Sequence, residues 1–512
     1  MTNGGHIEGV WVFTRHGDRT PSRPLCAAGF SDAESDFWTS KLPHPDAGAP
    51  FRALSELYPP DIHPSNEGQF KDVSRWPYGF LTRLGMQQQV TNGKRFFARY
   101  DHYGHHCDGT GTNATREKWG NGFLNSWEVK AYSTNYLRTI TSVQCFLDGL
   151  LGTKSYNPYQ HTSETDQHWN TERPSPSRTD TALDDTNKDK RPFVPPDHSE
   201  LPFVGDDLSF GTVPIVVRDK RCDLLNAFDR DHDRMMQLVG EVIEAPEFKD
   251  HDATASPLAA RLANFLPGLL RRGRKTFGGP SGINWIDASD HFVCRSAHGL
   301  KYSRFSIFEH DDRVEATMSA MAHQTIAHLA WRFRKWYQNP ALLAELAGPP
   351  LREVLSQMTT TPDLRIDQRH PFVIYSCHDV TILGLLYAIG ADFLGDETKS
   401  DWRFWPPYAS TLVFELVRRV EPIAEGGSTH VVRILLNGQP VICANLQDYY
   451  SGTTETVEHV GTGPRDMLQL SDLEQIVSRL ENMRLNGNND SNSEISDDDD
   501  DDEEEEGNDG ER

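Results

Sequence analysis

The residues best suited to chemistry lie close to the amino terminus, in residues 9–21. Arg15 and Arg19 flank His16, and two guanidinium groups beside one imidazole can hold an anion, because each planar arginine fork can bond two oxygens at once. Gly17 lets the chain turn tightly and approach a ligand closely. A neutral imidazole nitrogen can also attack a phosphorus atom and form a covalent intermediate. An isolated Arg-His-Gly more often forms an exposed turn, so the chemical interpretation requires partners elsewhere in the chain.

Two later stretches supply such partners. Arg138 follows residues 133–135, Ser-Thr-Asn, in the first turn of a predicted helix. His378 and Asp379 follow an apolar run at 371–376 and precede a second apolar run. Ligands of open α/β sheets bind beyond the carboxyl ends of the strands, and that is where these residues are predicted to lie. The three stretches together predict one site with three arginines, two histidines and a carboxylic acid.

Four strings of the sequence also resemble the signatures of one family. They are Arg-His-Gly-Asp-Arg-Thr-Pro at 15–21, Leu-Thr-Arg-Leu-Gly-Met-Gln-Gln at 81–88, Tyr-Ser-Thr-Asn-Tyr-Leu-Arg-Thr at 132–139 and Tyr-Ser-Cys-His-Asp-Val-Thr at 375–381. These strings are similar to those of the histidine acid phosphatases, branch 2 of the histidine phosphatase superfamily. Tyr132 and Asn135 stand where the acid phosphatases usually have Arg and Asp. The Ser-Thr-Asn form of this motif, with Asn135, and the Leu-Gly-Met-Gln-Gln string at 84–88 look more like the lysophosphatidic acid phosphatase subgroup.

The resemblance implies an α/β fold of the phosphoglycerate-mutase-like, or histidine phosphatase, type. Such a fold has a mixed central sheet flanked by helices and a helical cap insert. The resemblance also implies hydrolysis of phosphate monoesters without a metal or another cofactor.

The predicted site suits this reaction, in which positioning and electrostatic stabilisation dominate because charge spreads over the phosphoryl oxygens. His16 would attack in line and become a phosphohistidine. Asp379 would protonate the leaving oxygen and then accept a proton from the attacking water, which predicts an acidic pH optimum. Asp18 is assigned no catalytic role. The residues predicted to clamp the phosphate are Arg15, Arg19, Arg138 and His378.

Lysophosphatidic acid or a similar small phosphomonoester is the first substrate to consider. A phytase or inositol-phosphate phosphatase is the alternative, although it should have more Lys and Arg around its pocket than this acidic chain offers. A phosphomutase is disfavoured, because enzymes of the branch that contains mutases usually lack an Asp directly after the second histidine. A catalytically inactive module that binds phosphorylated ligands is a further alternative, since a fold alone does not establish activity.

Apolar periodicity predicts the elements that position the site. The runs 10–13 and 371–376 are typical of strands buried on both faces, and 127–132 reads as a third strand. Thr82 and the Ser-Thr-Asn sequence at 133–135 can each cap a helix. On the first helix, the stripe predicted to face the sheet consists of Met86, Val90, Gly93, Phe97 and Tyr100. The second helix is predicted to carry Ile140, Val143, Leu147 and Leu150 on one side.

Further elements follow towards the carboxyl terminus. Residues 380–389 predict a buried helix ended by Gly390, and 411–417 and 430–436 predict strands. Asn437-Gly438 predicts a two-residue hairpin into a strand at 440–444, and 471–484 predict a last helix. One long helix is predicted to carry Val314, Met318, Met321, Thr325, His328 and Trp336 along one face, with His328 in the core.

These elements predict three regions. Residues 1–151 and 366–484 would form a discontinuous α/β catalytic core, and 152–365 a mostly helical cap with a polar insert at 152–212. Residues 485–512 would be a disordered acidic tail, since an Asn/Ser-rich acidic segment without aromatic residues cannot bury enough surface to fold.

Composition limits the partners. The net charge is −24, and residues 494–512 contribute −12 of it, so no nucleic-acid partner is expected. His102, His105, His106 and Cys107 are predicted to form a polar Gly-rich loop rather than a metal site, and the seven cysteines form no zinc motif.

No apolar run reaches the roughly 20 residues of a transmembrane helix. Without a visible signal peptide we expect a cytoplasmic protein, or a secreted or organellar one if an upstream presequence is missing. The sequence does not determine the oligomeric state.

Overall fold

The structure is a computed structural model. It describes residues 5–26, 28–43, 53–56, 76–101, 122–152, 213, 215–270, 282–363, 369–395, 404–419, 429–444 and 466–491. The predicted polar insert, the cluster at His102–Cys107 and the charged end of the tail lie outside these ranges.

Nine strands within the described residues form one mixed sheet. Their order across the sheet is β2-β4-β3-β5-β1-β6-β7-β8, and β9 also pairs with β7. The pairs from β2 to β1 are parallel, and those from β1 onwards are antiparallel. The strands are β1 His6–Arg15, β2 Ala53–Glu56, β3 Trp127–Ser133, β4 Ile215–Arg218, β5 His370–Cys377, β6 Thr411–Arg418, β7 His430–Leu436, β8 Gln439–Pro440 and β9 Met467–Gln469.

Helices pack on both faces of the sheet, and β1 is buried from Ile7 to Arg15. Trp11 and Phe13 face one apolar layer, whereas Val10 and Val12 face the other, as the two-residue period of a strand requires. The helices, apart from short 3₁₀ turns, are α1 Ser31–Thr39, α2 Arg83–Tyr100, α3 Gly122–Ser126, α4 Leu137–Leu151, α5 Ala227–Arg230, α6 His232–Glu244, α7 Pro246–Ala253, α8 Ser256–Phe265, α9 Trp285–Ala297, α10 Asp312–Tyr337, α11 Pro340–Thr360, α12 Asp379–Ala388, α13 Asp392–Gly395 and α14 Leu470–Ser491.

The sheet topology brings distant parts of the chain to one edge. The ends of β1 and β5 are in register at Arg15 and Cys377, and the end of β3 is in register with Ser376. Because β6 runs antiparallel to β1, it begins at the edge where β1 ends, with Thr411 opposite Thr14. Residues after β1, β3 and β5 and residues before β6 therefore meet at a single edge.

Many predicted elements are confirmed. Thr82 caps α2 by accepting a hydrogen bond from the Gly85 amide. The predicted stripe on α4 is buried, and so is His328 of α10. Asn437 and Gly438 both adopt positive φ, 51° and 83°, as a two-residue hairpin turn between β7 and β8 requires.

Several predicted details are wrong. Phe97 is 37% exposed and Phe96 is buried in its place, because a helix of 3.6 residues per turn carries the buried face from Gly93 to Phe96 and Tyr100. Residues 133–135 do not cap α4, which has Tyr136 at its N-cap and no side-chain capping bond. Helix α14 continues to Ser491 and so includes the start of the predicted disordered tail, since adding residues to an existing helix costs less than nucleating one.

The predicted cap region contributes to the sheet as well. Strand β4 lies within residues 152–365 yet pairs with both β2 and β3. Neither β2 nor β4 was predicted, because each has only four residues and shows too short a pattern to separate a strand from a loop. The second arm of the hairpin, β8, has two residues and is shorter than predicted.

Two further findings concern cysteines and membranes. Six of the seven cysteines, all but Cys107, lie among the described residues and form no disulfide with one another. Within the described ranges, no helix combines the length and the apolar character needed to cross a membrane.

Candidate active site

The structure brings the predicted site residues together at the edge where β1, β3 and β5 end. The His16 amide donates to the Cys377 carbonyl at 3.1 Å, which holds the loop after β1 against the end of β5. The rings of His16 and His378 lie 5.7 Å apart, centre to centre, in an edge-to-face arrangement. Residues separated by more than 360 positions in the chain are therefore neighbours in space.

The His16 imidazole is held in its neutral form, with its lone pair on Nε2. Its Nδ1 lies 2.8 Å from the Gly17 carbonyl oxygen, which can only accept a hydrogen bond, so Nδ1 carries the proton and Nε2 keeps its lone pair. Burial lowers the pKa of His16 well below its usual value, and the positive charges of Arg15, Arg138 and Arg19 lower this pKa further. The imidazole is consequently neutral, and a neutral nitrogen is the form that attacks phosphorus.

The start of α2 supports the loop that carries His16. A Cβ at Gly17 would lie 2.2 Å from the Gly85 carbonyl oxygen, so the two backbones touch and neither position accepts a side chain. The Gln88 Oε1 accepts from the Asp18 amide at 2.8 Å, and Gln89 donates through Nε2 to the carbonyl at the end of β1 at 2.6 Å. The Leu-Gly-Met-Gln-Gln string at 84–88 therefore helps to position the loop after β1. The apolar periodicity of α2 gave no indication of these polar contacts.

Arg15 reaches the site with both terminal nitrogens bound to protein groups. Its Nη2 pairs with Asp379 at 2.8 Å, and its Nη1 donates to the Pro406 carbonyl at 2.6 Å. The guanidinium also lies 4.3 Å above the centre of the Tyr408 ring. The buried Nε has no hydrogen-bond partner among the described residues. Nε is therefore the one guanidinium nitrogen of Arg15 without a hydrogen bond to the described residues.

Arg19 is held by a carboxylate from the cap. Its Nη1 and Nη2 contact Asp290 of α9 at 3.0 and 2.8 Å, a bidentate pair, and Asp290 also accepts from the Ser22 amide at 2.7 Å. Nearby, His298 donates to the buried carboxylate of Asp18 at 2.7 Å. Asp290 in α9 and His298 directly after α9 thus connect the predicted cap region to Arg19 and Asp18. The sequence contained no signal for either pairing.

Arg138 lies in the first turn of α4, on the same side of the site as His378. Its guanidinium is 4.3 Å from the centre of the Tyr136 ring. Its charge lowers the pKa of both histidines, His16 and His378, which shows that the three groups share one electrostatic environment. The structure therefore brings the third predicted arginine to the site.

His378 and Asp379 lie at the start of α12. Burial and the charge of Arg138 lower the pKa of His378 well below its usual value, and its Nε2 lies 3.1 Å from Thr134 Oγ1. The Asp379 carboxylate accepts from Trp405 Nε1 at 3.0 Å, in addition to its pair with Arg15. Asp379 keeps 18% of its side chain exposed, so it can meet a substrate that enters from solvent.

The segment before β6 was missed as part of the site. Trp405 orients Asp379, and the Pro406 carbonyl holds Arg15. The Ala409 amide donates to the His16 carbonyl at 3.0 Å, and the Arg15 amide donates to the Ser410 carbonyl at 2.9 Å. A strand that runs antiparallel to β1 must begin beside the end of β1, so predicting that pairing would have identified these residues.

The described residues contain no group of three or more His, Cys, Asp or Glu side chains that could hold a metal ion. His102, His105, His106 and Cys107 lie outside the described ranges. The arrangement itself combines a neutral imidazole, several cationic groups and one partly exposed carboxyl. It can bind an anion, form a covalent bond to it and exchange a proton with its leaving group.

Comparison with known proteins identifies a family with the same motifs. The family model described as the histidine phosphatase superfamily (branch 2) matches residues 6–251 and 287–437. Human testicular acid phosphatase is 26% identical over 389 residues, which cover 74% of this chain and 68% of that protein. Human 2-phosphoxylose phosphatase 1 is 31% identical over 157 residues, 31% of this chain and 28% of that protein.

Two solved structures align with most of this chain. The phytase from Citrobacter braakii aligns with a TM-score of 0.43 and 13% identity, covering 93% of this chain and 98% of the phytase. The multiple inositol polyphosphate phosphatase from Bifidobacterium longum, in complex with inositol hexasulfate, aligns with a TM-score of 0.43 and 11% identity, covering 93% of each chain.

Proposed function

Because the chain belongs to branch 2 of the histidine phosphatase superfamily and is a phosphate-monoester hydrolase, we propose that His16 is its nucleophile and Asp379 its proton donor. The observation that carries this proposal is the hydrogen bond from His16 Nδ1 to the Gly17 carbonyl, which leaves Nε2 unprotonated at the centre of three arginines. We further propose lysophosphatidic acid, or a phosphomonoester of similar size, as the substrate.

The first half of the proposed reaction forms a phosphoenzyme. The lone pair of His16 Nε2 forms a bond to phosphorus while the ester P–O bond breaks, and the electrons of that bond leave on the alcohol oxygen. In the acid form, Asp379 carries its proton on Oδ1 while Oδ2 accepts from Arg15. Asp379 transfers this proton to the alcohol oxygen, so the product leaves as a neutral alcohol. Asp379 becomes a carboxylate, and His16 carries the phosphoryl group.

The second half restores the enzyme. Asp379 accepts a proton from water as the water oxygen bonds to phosphorus, and the N–P bond breaks with its electrons returning to Nε2. Inorganic phosphate leaves, His16 is neutral and Asp379 is protonated again. A group that donates a proton in one half-reaction and accepts one in the other balances the cycle without a further titrating residue.

The three arginines and the neutral His378 would stabilise the phosphoryl oxygens in both halves. Arg19, Arg138 and His378 surround His16, and Arg15 would contribute through its unpaired Nε. Donors fixed before the substrate arrives cost no reorganisation at the moment of reaction, which is why such electrostatic stabilisation is usually the largest single catalytic effect. The contacts of Arg15 and Arg19 with Asp379 and Asp290 fix two of these groups in advance.

Gly85 and Gln88, two residues of the string that resembles the lysophosphatidic acid phosphatase subgroup, contact the loop of His16 rather than the side of the leaving group. They support the reaction common to the family. A panel of lysophosphatidic acid, sugar phosphates and inositol hexakisphosphate, compared by kcat/KM, therefore tests the substrate separately from the mechanism.

The mechanism is tested by partitioning the phosphoenzyme between water and added glycerol. A common intermediate predicts the same ratio of inorganic phosphate to glycerol phosphate from p-nitrophenyl phosphate and from an alkyl phosphate. Phosphohistidine should also be recovered after alkaline quenching of the wild type and be absent from His16→Ala. Ratios that depend on the leaving group, or full turnover by His16→Ala, would overturn the nucleophile assignment.

A further inference from the structure

A groove lies beside the catalytic edge, on the side of β1 away from β5. Helix α2 forms one wall, and the other wall is formed by β6, β7 and the Asn437-Gly438 turn between β7 and β8. Residues 407–411, directly before and at the start of β6, form its floor, and the cavity volume is about 600 Å³. The lining runs along α2 from Leu84 to Arg99, about 20 Å at 1.5 Å per residue. This volume and length suit a small, elongated molecule.

The groove is positively charged although the chain as a whole has a net charge of −24. Arg95 is exposed in it and forms no ion pair with any described residue. Arg99, one helical turn further on, is 39% exposed and is anchored by the buried carboxylate of Glu415. Glu415 is also bound by Arg433, so its single negative charge is already matched by two guanidinium groups. No acidic residue is among the described residues of the lining.

Neutral donors add to these charges. Gln88 uses its Oε1 to accept the Asp18 amide at 2.8 Å, and Asn437 uses its Oδ1 to accept the Thr411 amide at 2.9 Å. Each side chain therefore has its acceptor occupied, and its NH₂ group makes no hydrogen bond within the described part of the chain. On the floor, the hydroxyl of Ser410 is buried and also lacks a partner among the described residues. The groove thus offers donors and positive charge to a ligand with oxygen acceptors.

The floor connects the groove to the nucleophile. Asn92 of α2 donates to the Ala409 carbonyl at 2.8 Å, and the Ala409 amide donates to the His16 carbonyl. Ala409 has a φ of 59°, a backbone conformation that residues other than glycine rarely adopt. Contacts with neighbouring residues must therefore stabilise it. Tyr408 lines the groove with part of its surface and stacks under Arg15. A ligand that contacts this floor therefore acts on the residues that hold His16 and Arg15.

We propose that this groove binds a small organic anion through its carboxylate or phosphoryl oxygens, outside the catalytic site, and that its occupation changes turnover. Arg95 and Arg99 bind the anionic group, and apolar residues along the groove contact an attached hydrocarbon segment. The apolar residues of the lining are Leu84, Phe96, Val413 and Leu435.

The binding test uses the full chain and two probes, octanoate and octylphosphonate, whose carbon–phosphorus bond withstands hydrolysis. Binding is measured by calorimetric titration of the wild type, Arg95→Gln and Lys94→Gln. Lys94 is the neighbouring exposed cation on α2, and it does not line the groove. Arg95→Gln should weaken binding of at least one probe about tenfold or more, because a charge-assisted hydrogen bond is lost, whereas Lys94→Gln should leave it unchanged. The probe that shows this dependence identifies the carboxylate or the phosphoryl group as the ligand chemistry.

The kinetic test measures p-nitrophenyl phosphate hydrolysis over a range of probe concentrations. We expect a saturable change in kcat that disappears in Arg95→Gln, each variant being compared with its own rate without probe. Equal affinity of the wild type and Arg95→Gln for both probes would overturn the proposed site. Binding that depends on Arg95 without any change in kcat would overturn the coupling to turnover. Purely competitive inhibition unaffected by Arg95→Gln would assign the probes to the catalytic site and refute both parts.

Discussion

The substitution Asp379→Asn tests the proposed proton donation separately from the binding of the phosphate. Asparagine keeps the size of the side chain and can still accept a hydrogen bond from Trp405, but it has no carboxyl proton to transfer. General acid catalysis by a positioned side chain contributes about 10²–10⁴-fold. At 1.36 kcal/mol per factor of ten, this corresponds to about 3–5 kcal/mol of transition-state stabilisation. An alkyl phosphate, whose alkoxide leaves poorly, should lose that full factor in kcat.

The comparison substrate is p-nitrophenyl phosphate, whose phenolate leaves without prior protonation. For this substrate we expect Asp379→Asn to lower the rate of phosphoenzyme formation by less than about tenfold, because the first half-reaction no longer requires the acid. The substitution also releases Arg15 Nη2 from its ion pair at 2.8 Å, so this donor can turn to the dianionic phosphate. KM should therefore stay constant or fall. The free energy of unfolding should drop by roughly 1–3 kcal/mol, the cost of leaving a buried charged donor without its partner.

The assay measures burst-phase and steady-state rates with both substrates. The stability of each variant is measured separately by thermal unfolding. Asp312→Asn is the matched control, since Asp312 also starts a helix but is exposed and remote from the site. Trp405→Phe should give a smaller loss with the same preference for the alkyl phosphate, because it removes one donor to Asp379 and keeps the carboxyl. Equal losses in phosphoenzyme formation for the two substrates would refute the proton-donor role of Asp379.

Three further results are expected. The acidic limb of kcat/KM should lie well below pH 6.5, because the lowered pKa of His16 keeps the imidazole neutral until the pH falls through that pKa, and a limb at or above 6.5 would contradict this. Gly85→Ala should lower activity and melting temperature, since its Cβ would lie 2.1 Å from a backbone carbonyl, whereas Gly240→Ala in α6 has free space and should be neutral or stabilising by up to about 1 kcal/mol in chemical denaturation. Asp290→Asn should weaken inhibition by inorganic phosphate roughly tenfold, because Arg19 loses a charge-assisted bidentate partner, and an unchanged inhibition constant would show that Asp290 does not position Arg19.

Local elements were predictable because their signals are local. The stripe on α4, the Thr82 cap and the Asn437-Gly438 turn each depend on a few neighbouring residues whose spacing or backbone preference decides the conformation. The error at Phe97 has the same origin, since Phe96 and Phe97 are both apolar and only the packing of α2 selects one of them. The four-residue strands β2 and β4 are too short for such a signal, and their place in the sheet depends on neighbours far along the chain.

The sequence by itself determined the histidine phosphatase branch, and it predicted the candidate site residues at the strand ends. Motifs with a chemical function leave residue types at close spacing, and strands leave apolar runs. The tertiary structure alone decided what orients those residues. Arg19 meets Asp290 across 271 positions, and Trp405 meets Asp379 because β6 begins where β1 ends. Pairings of this kind follow from which surfaces pack together, and neither hydrophobic periodicity nor local propensity specifies a partner so distant in the chain.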